Sequence, residues 1–224
     1  MTTGAKTAHG TQVQYGDAAT PETFLTVAEV IEIDPAEESA EPLDATSHDT
    51  TAKEFIPGGL TDSGEIAFTV NLTGGATQTA VHAKLGTAAA NWQVCFPNFG
   101  ERTKTFTAVA ATDICTAAAH GLTTGQPVRV TSTTTLPAGL TAGVTYYAHW
   151  LSADTFTLHT TNAGAVADTG VVDITDTGTG THTLQIGTKS SFAAIVKTDK
   201  LGADRGSLLT ERWTAKITAA ITTV

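Results

Sequence analysis

Residues 65–72, EIAFTVNL, constrain the fold more than any other segment of the chain. Large apolar side chains alternate there with small or polar ones. Ile66, Phe68, Val70 and Leu72 share one parity, whereas Ala67, Thr69 and Asn71 share the other. This period of two predicts a β-strand with one buried face and one open face. Two turn signals, at residues 57–59 (PGG) and 62–64 (DSG), precede it, so the strand is predicted to begin at the foot of a long loop.

Other segments repeat this pattern and predict a mainly all-β protein. Roughly one residue in five is Thr, and β-branched residues favour strands. We predict strands at residues 24–33, 91–96, 191–197 and 211–221, and a hairpin joining 91–96 to 104–108. Trp92 and Trp213 fall on the apolar parity of their strands and are predicted to lie in the core.

The remaining outer segments predict a single short helix and several loops. Residues 77–85 have helical spacing, with Thr77 as the N-cap and Gly86 as the end. The first 20 residues or so are small, polar and aperiodic, so they are expected to be mobile or ordered only by a neighbour. Residues 198–206 are predicted to form a turn-rich loop.

The charge of the chain argues against nucleic-acid binding through phosphates. Twelve Lys and Arg residues oppose 22 Asp and Glu residues, which gives a formal net charge of −10. No window approaches the ~18 continuous apolar residues of a membrane span, and the N-terminus lacks the apolar core of a signal peptide. We therefore expect synthesis in a cytoplasm, with Cys95 and Cys115 as small buried free thiols.

Sequence motifs for catalysis or cofactor binding are absent. There is no G-x-S-x-G, no phosphate-binding loop, no H-E-x-x-H and no C-x-x-C, and the seven histidines never fall in pairs at metal-ligand spacing. Residues 173–176, DITD, lack the ordered ligand positions of a calcium loop and are interpreted as a turn. We predict no enzyme activity, no metal site and no cofactor; a hydrolase built from scattered carboxylates, which leaves no linear motif, stays as a third hypothesis.

Residues 34–51 form a long acidic segment that cannot build a core of its own. Two interpretations stay open: a disordered surface loop, or an arm that becomes ordered against another subunit. Phe55 and Ile56 could anchor the return of this arm. The residues assigned to the arm are Asp34, Glu37, Glu38, Glu41, Asp44, Asp49, Phe55 and Ile56.

Residues 109–187 differ in character from the rest of the chain, with few acidic clusters and many Thr-Gly and Ala-Gly pairs. Short strands near residues 128–131, 145–148, 155–158, 171–174 and 182–186 predict a small antiparallel sandwich or barrel. The flanking segments, 1–108 and 188–224, are complete only when joined, so the middle is interpreted as an inserted domain. Its aromatic run, which includes Trp150, either packs or contacts a sugar or another protein.

The outer segments resemble the tail tube proteins, or major tail proteins, of long-tailed bacteriophages. The resemblance is carried by FLTVAEVIEIDPAEESAE, EFIPGGLTDSGEIAFTVNL, the short helix leading to NWQVCFPNFGERTKTF, and the closing ERWTAKITAAI, in that order. It implies a β-sandwich with a flanking helix, whose copies form homohexameric rings. It further implies that the rings stack into a tube in the virion tail and that genomic DNA leaves the capsid through this tube.

Carried over by position, the arm matches the loop that bridges successive rings, and residues 65–72 and 211–221 match strands that line the lumen. The hypothetical lumen-facing residues are Glu29, Ala67, Thr69, Asn71, Thr214, Lys216 and Thr218. Lys216 should pair with a carboxylate such as Glu29, and an acidic, Thr-rich lining would repel phosphate, so that DNA passes without specific binding. The inserted domain is expected on the tube exterior.

The resemblance also implies other tail proteins as partners: the tape measure, the tail terminator and the baseplate or tip. Assembly is expected in the cytoplasm of the bacterial host. The alternative function is a tail fibre or adhesin-type module, in which the inserted domain binds cell-surface glycan.

Overall fold

The computed structural model describes residues 8–49, 51–203 and 207–224. In chain order the elements are β1 (Gln12–Gly16), β2 (Phe24–Thr26), β3 (Val30–Asp34), β4 (Ser39–Asp44), β5 (Phe55–Asp62), β6 (Glu65–Asn71), α1 (Ala76–His82), β7 (Ala90–Cys95), β8 (Arg102–Val109), β9 (Ile114–Thr116), β10 (Pro127–Ser132), β11 (Tyr146–Trp150), β12 (Thr155–His159), α2 (Asn162–Ala167), β13 (His182–Ile186), β14 (Lys189–Gly202), β15 (Thr210–Ile217) and β16 (Thr222–Thr223). Strands account for 48% and helices for 6%, which confirms the predicted all-β class.

The first body is a curled antiparallel sheet with the strand order β2-β1-β7-β14-β15-β6-β3, and β16 pairs with β14. The ring centroid of Phe68 in β6 lies 5.7 Å from that of Trp92 in β7 and 5.4 Å from that of Trp213 in β15. Two strands separate β6 from β7 in the sheet, so the first contact shows that the sheet folds over its own core. Trp92 and Trp213 are buried in that core, as predicted.

Helix α1 closes one end of this core. Val81 is fully buried, and the side-chain amide of Gln78 donates to the carbonyl oxygen of Asn71 at 2.8 Å. The predicted bounds of the helix are wrong, because Gly75 rather than Thr77 is the N-cap and the helix ends at His82. The hydroxyl of Thr77 instead accepts the backbone N–H of Ala28 at 3.3 Å.

The second body is a closed antiparallel barrel with the strand order β10-β11-β12-β9-β8-β13. Four of the five predicted strands of this region are confirmed in place: β10, β11, β12 and β13. Residues 171–174 do not form a strand, since Val171 makes only an isolated bridge to His159. Strand β9 and helix α2 were not predicted.

The barrel begins earlier than the predicted boundary at residue 109. Strand β8 pairs with β13 and β9 inside the barrel, so the predicted hairpin with residues 91–96 is wrong. Strand β7 pairs instead with β1 and β14. The reason is that β7 is buried on both faces: Trp92 points into the sheet core, and Gln93 faces the barrel.

Several boundaries in the sheet also differ from the predictions. The predicted strand at residues 24–33 is broken by Glu29, whose φ of 62° is left-handed. Residues 12–16 are a strand of the sheet rather than a mobile segment. Strand β14 continues to Gly202 through most of the predicted loop, while residues 204–206 lie outside the described residues; β15 ends at Ile217, not at residue 221.

Buried hydrogen bonds join the barrel to the outer face of β1 and β7. The Gln93 amide donates to the Gln14 side-chain oxygen at 2.5 Å, and the Gln14 amide donates to the Gly125 carbonyl at 2.8 Å. Gly125 has a φ of 90°, and a Cβ there would lie 2.1 Å from the Phe24 carbonyl oxygen. Only glycine fits this close approach of the two bodies.

Candidate functional site

The acidic segment forms a two-stranded hairpin that joins neither the large sheet nor the barrel as a strand. Strands β4 and β5 pair only with each other, with Leu43 opposite Ile56 and Asp44 opposite Phe55. The predicted turn at residues 57–59 is wrong, because these residues lie inside β5. The predicted turn at 62–64 is confirmed. We call the β4–β5 hairpin the arm.

The arm exposes large apolar side chains together with carboxylates. Leu43, Phe55, Ile56 and Leu60 are between 52% and 81% exposed. The predicted arm residues Glu37, Glu38, Glu41, Asp44 and Asp49 are exposed as well. An isolated two-stranded hairpin is marginally stable in water, and clustered exposed apolar side chains mark interaction surfaces. The arm therefore exposes apolar surface that the rest of its own chain leaves uncovered.

The outer face of β3, β6 and β15 carries polar side chains that face solvent. Thr69 lies between Glu32 and Arg212 in register, and Ala67 lies between Asp34 and Thr214. The structure thus brings Thr69, Ala67 and Thr214 together on one face, as the parity predicted. We call this surface the open face. Ala67 is only 6% exposed, so its methyl group adds little to it.

Ion pairs cover much of the open face. Arg212 pairs with Asp34 and lies 3.5 Å from Glu32, so Asp34 belongs to this face rather than to the tip of the arm. The Lys216 amine donates to the Asp62 carboxylate at 2.5 Å, and this hydrogen bond lowers the pKa of Asp62. The Lys197 amine lies 2.7 Å from Glu65. The face is therefore charge-paired, and Lys216 pairs with a carboxylate as expected, although with Asp62.

The remaining predicted lumen residues have other partners. Glu29 does not pair with Lys216 as expected; its carboxylate accepts the side-chain amide of Asn71 at 3.4 Å. The turn at Glu29 directs its carboxylate toward Asn71. The β5–β6 turn brings Asp62 next to Lys216. Thr218 is exposed beyond the end of β15, and its hydroxyl donates to the carbonyl of Ala193 at 3.1 Å.

An apolar groove of about 920 Å³ opens beside β3, at the root of the arm. Its lining includes the apolar side chains of Ile33, Ile66, Phe96, Phe192, Ile217 and Ile221. Strand β3 is the last strand on this side of the described sheet, so it offers a free strand edge as well as an apolar surface.

The aromatic run of the barrel is engaged within the fold. The hydroxyl of Tyr147 accepts the side-chain amide of Gln12 at 2.9 Å, and the hydroxyl of Tyr146 accepts the backbone N–H of Thr141 at 2.9 Å. His149 contacts the carbonyl of Ala165 at 2.7 Å, and Trp150 is half-buried. Asp176 accepts the backbone N–H groups of Ala138 and Gly178, as a turn residue does.

Sequence reasoning missed one cluster, formed by His82, Asp199 and Glu211. The His82 Nδ1 atom lies 2.6 Å from an Asp199 oxygen and 3.7 Å from a Glu211 oxygen. The sequence predicts a loop at Asp199, and His82 lies far from the other two residues in the chain. One signal was present: Glu211 falls on the buried parity of its strand, together with Trp213.

A sequence model of the family described as "Lambda phage tail tube protein, TTP" matches residues 7–135. The chain belongs to this family. The match covers the sheet up to β7, the arm and the barrel through β10. The predicted resemblance is confirmed, and the protein is a structural component of a phage tail.

One solved structure similar to this chain is described as "Cryo-EM structure of the anti-feeding prophage (AFP) baseplate, 6-fold symmetrised". The identity is 8% and the TM-score 0.46, with 100% of this chain and 97% of that chain covered. No curated protein matches the sequence. Neither helix within the described ranges has the length and apolar character needed to cross a membrane.

Proposed function

We propose that copies of this chain close into homohexameric rings that stack into the tail tube, the conduit through which the genome is ejected. The observation that carries the proposal is the arm. The chain belongs to a tail tube family, and in the single chain the arm leaves the side chains of Leu43, Phe55, Ile56 and Leu60 exposed to solvent. Burying an apolar side chain of this size contributes about 1.5–3 kcal/mol, so covering the arm with a neighbouring copy would stabilise the contact between the two copies.

The arm bridges one ring to the next in this proposal. It projects from the sheet between β3 and β6, next to the apolar groove and the free edge of β3. The groove and strand edge of a neighbouring copy offer the apolar contacts and backbone hydrogen bonds that the arm lacks. Repetition of this contact between identical copies gives axial growth of a tube.

The open face lines the bore in this proposal, and the barrel lies on the tube exterior. Support comes from the curl of the sheet: Phe68 and Trp92 meet across the core, so the outer faces of β6 and β7 point in opposite directions. The barrel covers the outer face of β7, which is the side opposite to the open face.

The chemistry of the open face suits a surface over which DNA slides. The three cations Lys197, Arg212 and Lys216 are held by carboxylates, so they are not free to bind phosphate. Thr69 and Thr214 add neutral polar surface between them. The proposed lining is thus charge-paired, on a chain whose net charge is −10, and DNA passes without specific binding.

In the virion, the same rings would contact the tape measure, the tail terminator and the baseplate or tip, after assembly in the host cytoplasm. Electron microscopy of the purified full chain tests the central claim. We expect stacked rings with six-fold symmetry in class averages. Discrete trimers or monomers that bind glycan would support the adhesin-type alternative instead.

A second experiment tests the arm itself. The triple variant Leu43→Ser, Phe55→Ser, Ile56→Ser should remain folded but form no tubes, because these side chains are exposed in the single chain. The matched control is Val144→Ser, Leu151→Ser, which removes exposed apolar side chains from the barrel and should still form tubes. Tubes of normal length from the arm variant would disprove the assignment.

A further inference from the structure

The cluster of His82, Asp199 and Glu211 lies where α1 meets the rim of the sheet core. His82 is the last residue of α1, Asp199 is in β14, and Glu211 is in β15. Asp199 is paired in register with Trp213 and Glu211 with Leu201. Because Trp213 points into the core, both carboxylates lie on the inner face of the sheet rather than on its open face.

The donor atoms of the three side chains converge on one point. One ligand atom from each residue lies within 4.8 Å of the other two. The side chains of Asp199 and Glu211 are only 10% and 7% exposed, whereas that of His82 is 60% exposed. Two buried carboxylates thus face a single imidazole, which is accessible from solvent.

Asp199 provides the independent sign that a ligand belongs here. Its Oδ1 atom is buried and has no hydrogen-bond partner among the described residues. Leaving a buried carboxylate oxygen unpaired is costly, because neither water nor a protein donor replaces the hydration that it lost. A cation bound by the Asp199 carboxylate would neutralise the charge that its two oxygens share and offset the repulsion between the two carboxylates.

We propose that His82, Asp199 and Glu211 bind a divalent transition-metal ion of the Zn²⁺ class. Zinc binds imidazole nitrogen and carboxylate oxygen at about 2.0–2.2 Å, so tetrahedral ligand atoms lie roughly 3.4 Å apart. His82 Nδ1 lies 2.6 Å from Asp199 Oδ2, a hydrogen-bond distance, and 3.7 Å from Glu211 Oε1, so a shift of less than about 1 Å at Asp199 gives that spacing. The imidazole favours zinc over Mg²⁺ or Ca²⁺, which prefer oxygen ligands alone, and the exposed side of His82 leaves room for a water as fourth ligand.

The consequence of binding is structural. The ion would tie the end of α1 to the paired strands β14 and β15, which lie much further along the chain. An ion that binds only the folded chain raises the free energy of unfolding in proportion to the logarithm of its concentration. This inference does not depend on the tube, because the cluster is complete within one chain.

A shared proton is the competing occupant of the cluster. Burial first, and the neighbouring Asp199 second, raise the pKa of Glu211 to about 7, so Glu211 can donate a hydrogen bond to Asp199. The variant Glu211→Gln separates the two occupants. Its amide still donates toward Asp199, so the fold is kept, but the amide is a poor zinc ligand.

The experiment uses the full chain, dialysed against EDTA and then titrated with ZnCl₂ or MgCl₂ at pH 7.5 by calorimetry and thermal unfolding. We expect one zinc per chain, a rise in Tm that EDTA reverses, and no response to magnesium. Loss of a second-shell partner costs zinc sites 10–100-fold in affinity, so His82→Gln and Glu211→Gln, which lose a ligand, should weaken binding by more than about 100-fold.

The matched control is His48→Gln, which removes an exposed histidine on the connection between β4 and β5 and should bind zinc as the wild type does. In EDTA, Glu211→Gln should unfold at or above the wild-type Tm. A wild type without a zinc-dependent shift would overturn the proposal. The proposal would also be overturned if each of the single variants His82→Gln and Glu211→Gln bound zinc as tightly as the wild type.

Discussion

Lys189 is the most unusual single residue at the junction of the two bodies. Its side chain is buried, with the residue only 5% exposed, and its amine donates to Gln126 at 3.2 Å and to Thr123 at 3.3 Å. Burial lowers the pKa of Lys189 to about 8, partly opposed by Cys95. The neutral oxygens of Gln126 and Thr123 compensate only partly for the hydration that a charged amine loses on burial.

This shift predicts a pH-dependent stability. The folded pKa of Lys189 lies below its ordinary 10.5, so the folded chain binds fewer protons than the unfolded chain between pH 8 and 10.5. Relative to Lys189→Met, the free energy of unfolding of the wild type should rise with pH across this window, by up to about 3 kcal/mol. Urea denaturation of both proteins from pH 7 to 10 measures this, and a constant difference would contradict the buried amine.

The two cysteines give a second prediction at this scale. Both are free and buried, as predicted, and burial raises the pKa of each thiol to about 12. Because the thiolate is the reactive form, neither should react with Ellman's reagent at pH 8 in the folded chain. Both should react in 6 M guanidinium chloride. Rapid labelling of the folded chain would show that the sheet or the barrel opens locally.

At the scale of the elements, the sequence located most strands but not all of them, and not their neighbours. Alternation located β6 and β15, since a strand that packs mainly on one side favours a period of two. Strand β1 was missed because its buried side chains include Gln14, whose hydrogen bonds lie in the barrel. Strand β8 was found but assigned to the wrong partner, because alternation reveals a strand and not its neighbour.

For the candidate site, the sequence predicted which residues share a face and where the arm lies, but not the partners of the charged side chains. Parity placed Thr69 and Thr214 on one face, and composition located the arm. The partners of charged side chains could not be predicted in this way, because they depend on turns and register. Lys216 meets Asp62 rather than Glu29 for this reason, and His82 meets Asp199 only once α1 packs on the sheet.

The arm allows a sharper deletion at this scale. Ser39 and Asp62 are register partners at its root, so a two-residue Asn-Gly turn can replace residues 40–61. This variant keeps Asp34 and Asp62, the partners of Arg212 and Lys216. We expect a Tm within a few degrees of the wild type, because none of the described arm residues is buried, and no tubes in electron micrographs. Deleting residues 34–51 instead removes Asp34 and should lower the Tm as well.

At the scale of the whole molecule, the barrel is inserted in the sequence between β7 and β14, two strands that are neighbours in the sheet. The chain leaves the sheet after β7 and returns in β14, which pairs with β7. Arg102 and Ile186, the first residue of β8 and the last of β13, are register partners. The two ends of the barrel therefore lie side by side, and the excision that respects the fold is 102–186 rather than 109–187.

This geometry makes two similar deletions behave differently. Replacing residues 102–186 with a Gly-Ser link exposes Gln14 and Gln93, which water can hydrate, so the sheet should fold with a loss of roughly 2–4 kcal/mol for a few lost hydrogen bonds of about 1 kcal/mol each. Replacing 109–187 leaves β8 without its partners β9 and β13, and an unpaired strand promotes aggregation.

Circular dichroism, urea denaturation and light scattering of both variants measure the difference. If the barrel is an exterior addition to the tube, the 102–186 variant should also form six-fold rings of smaller outer diameter. Aggregation of both variants would show that the sheet depends on the barrel for folding. A soluble 102–186 variant that forms no rings would instead assign part of the ring contact to the barrel.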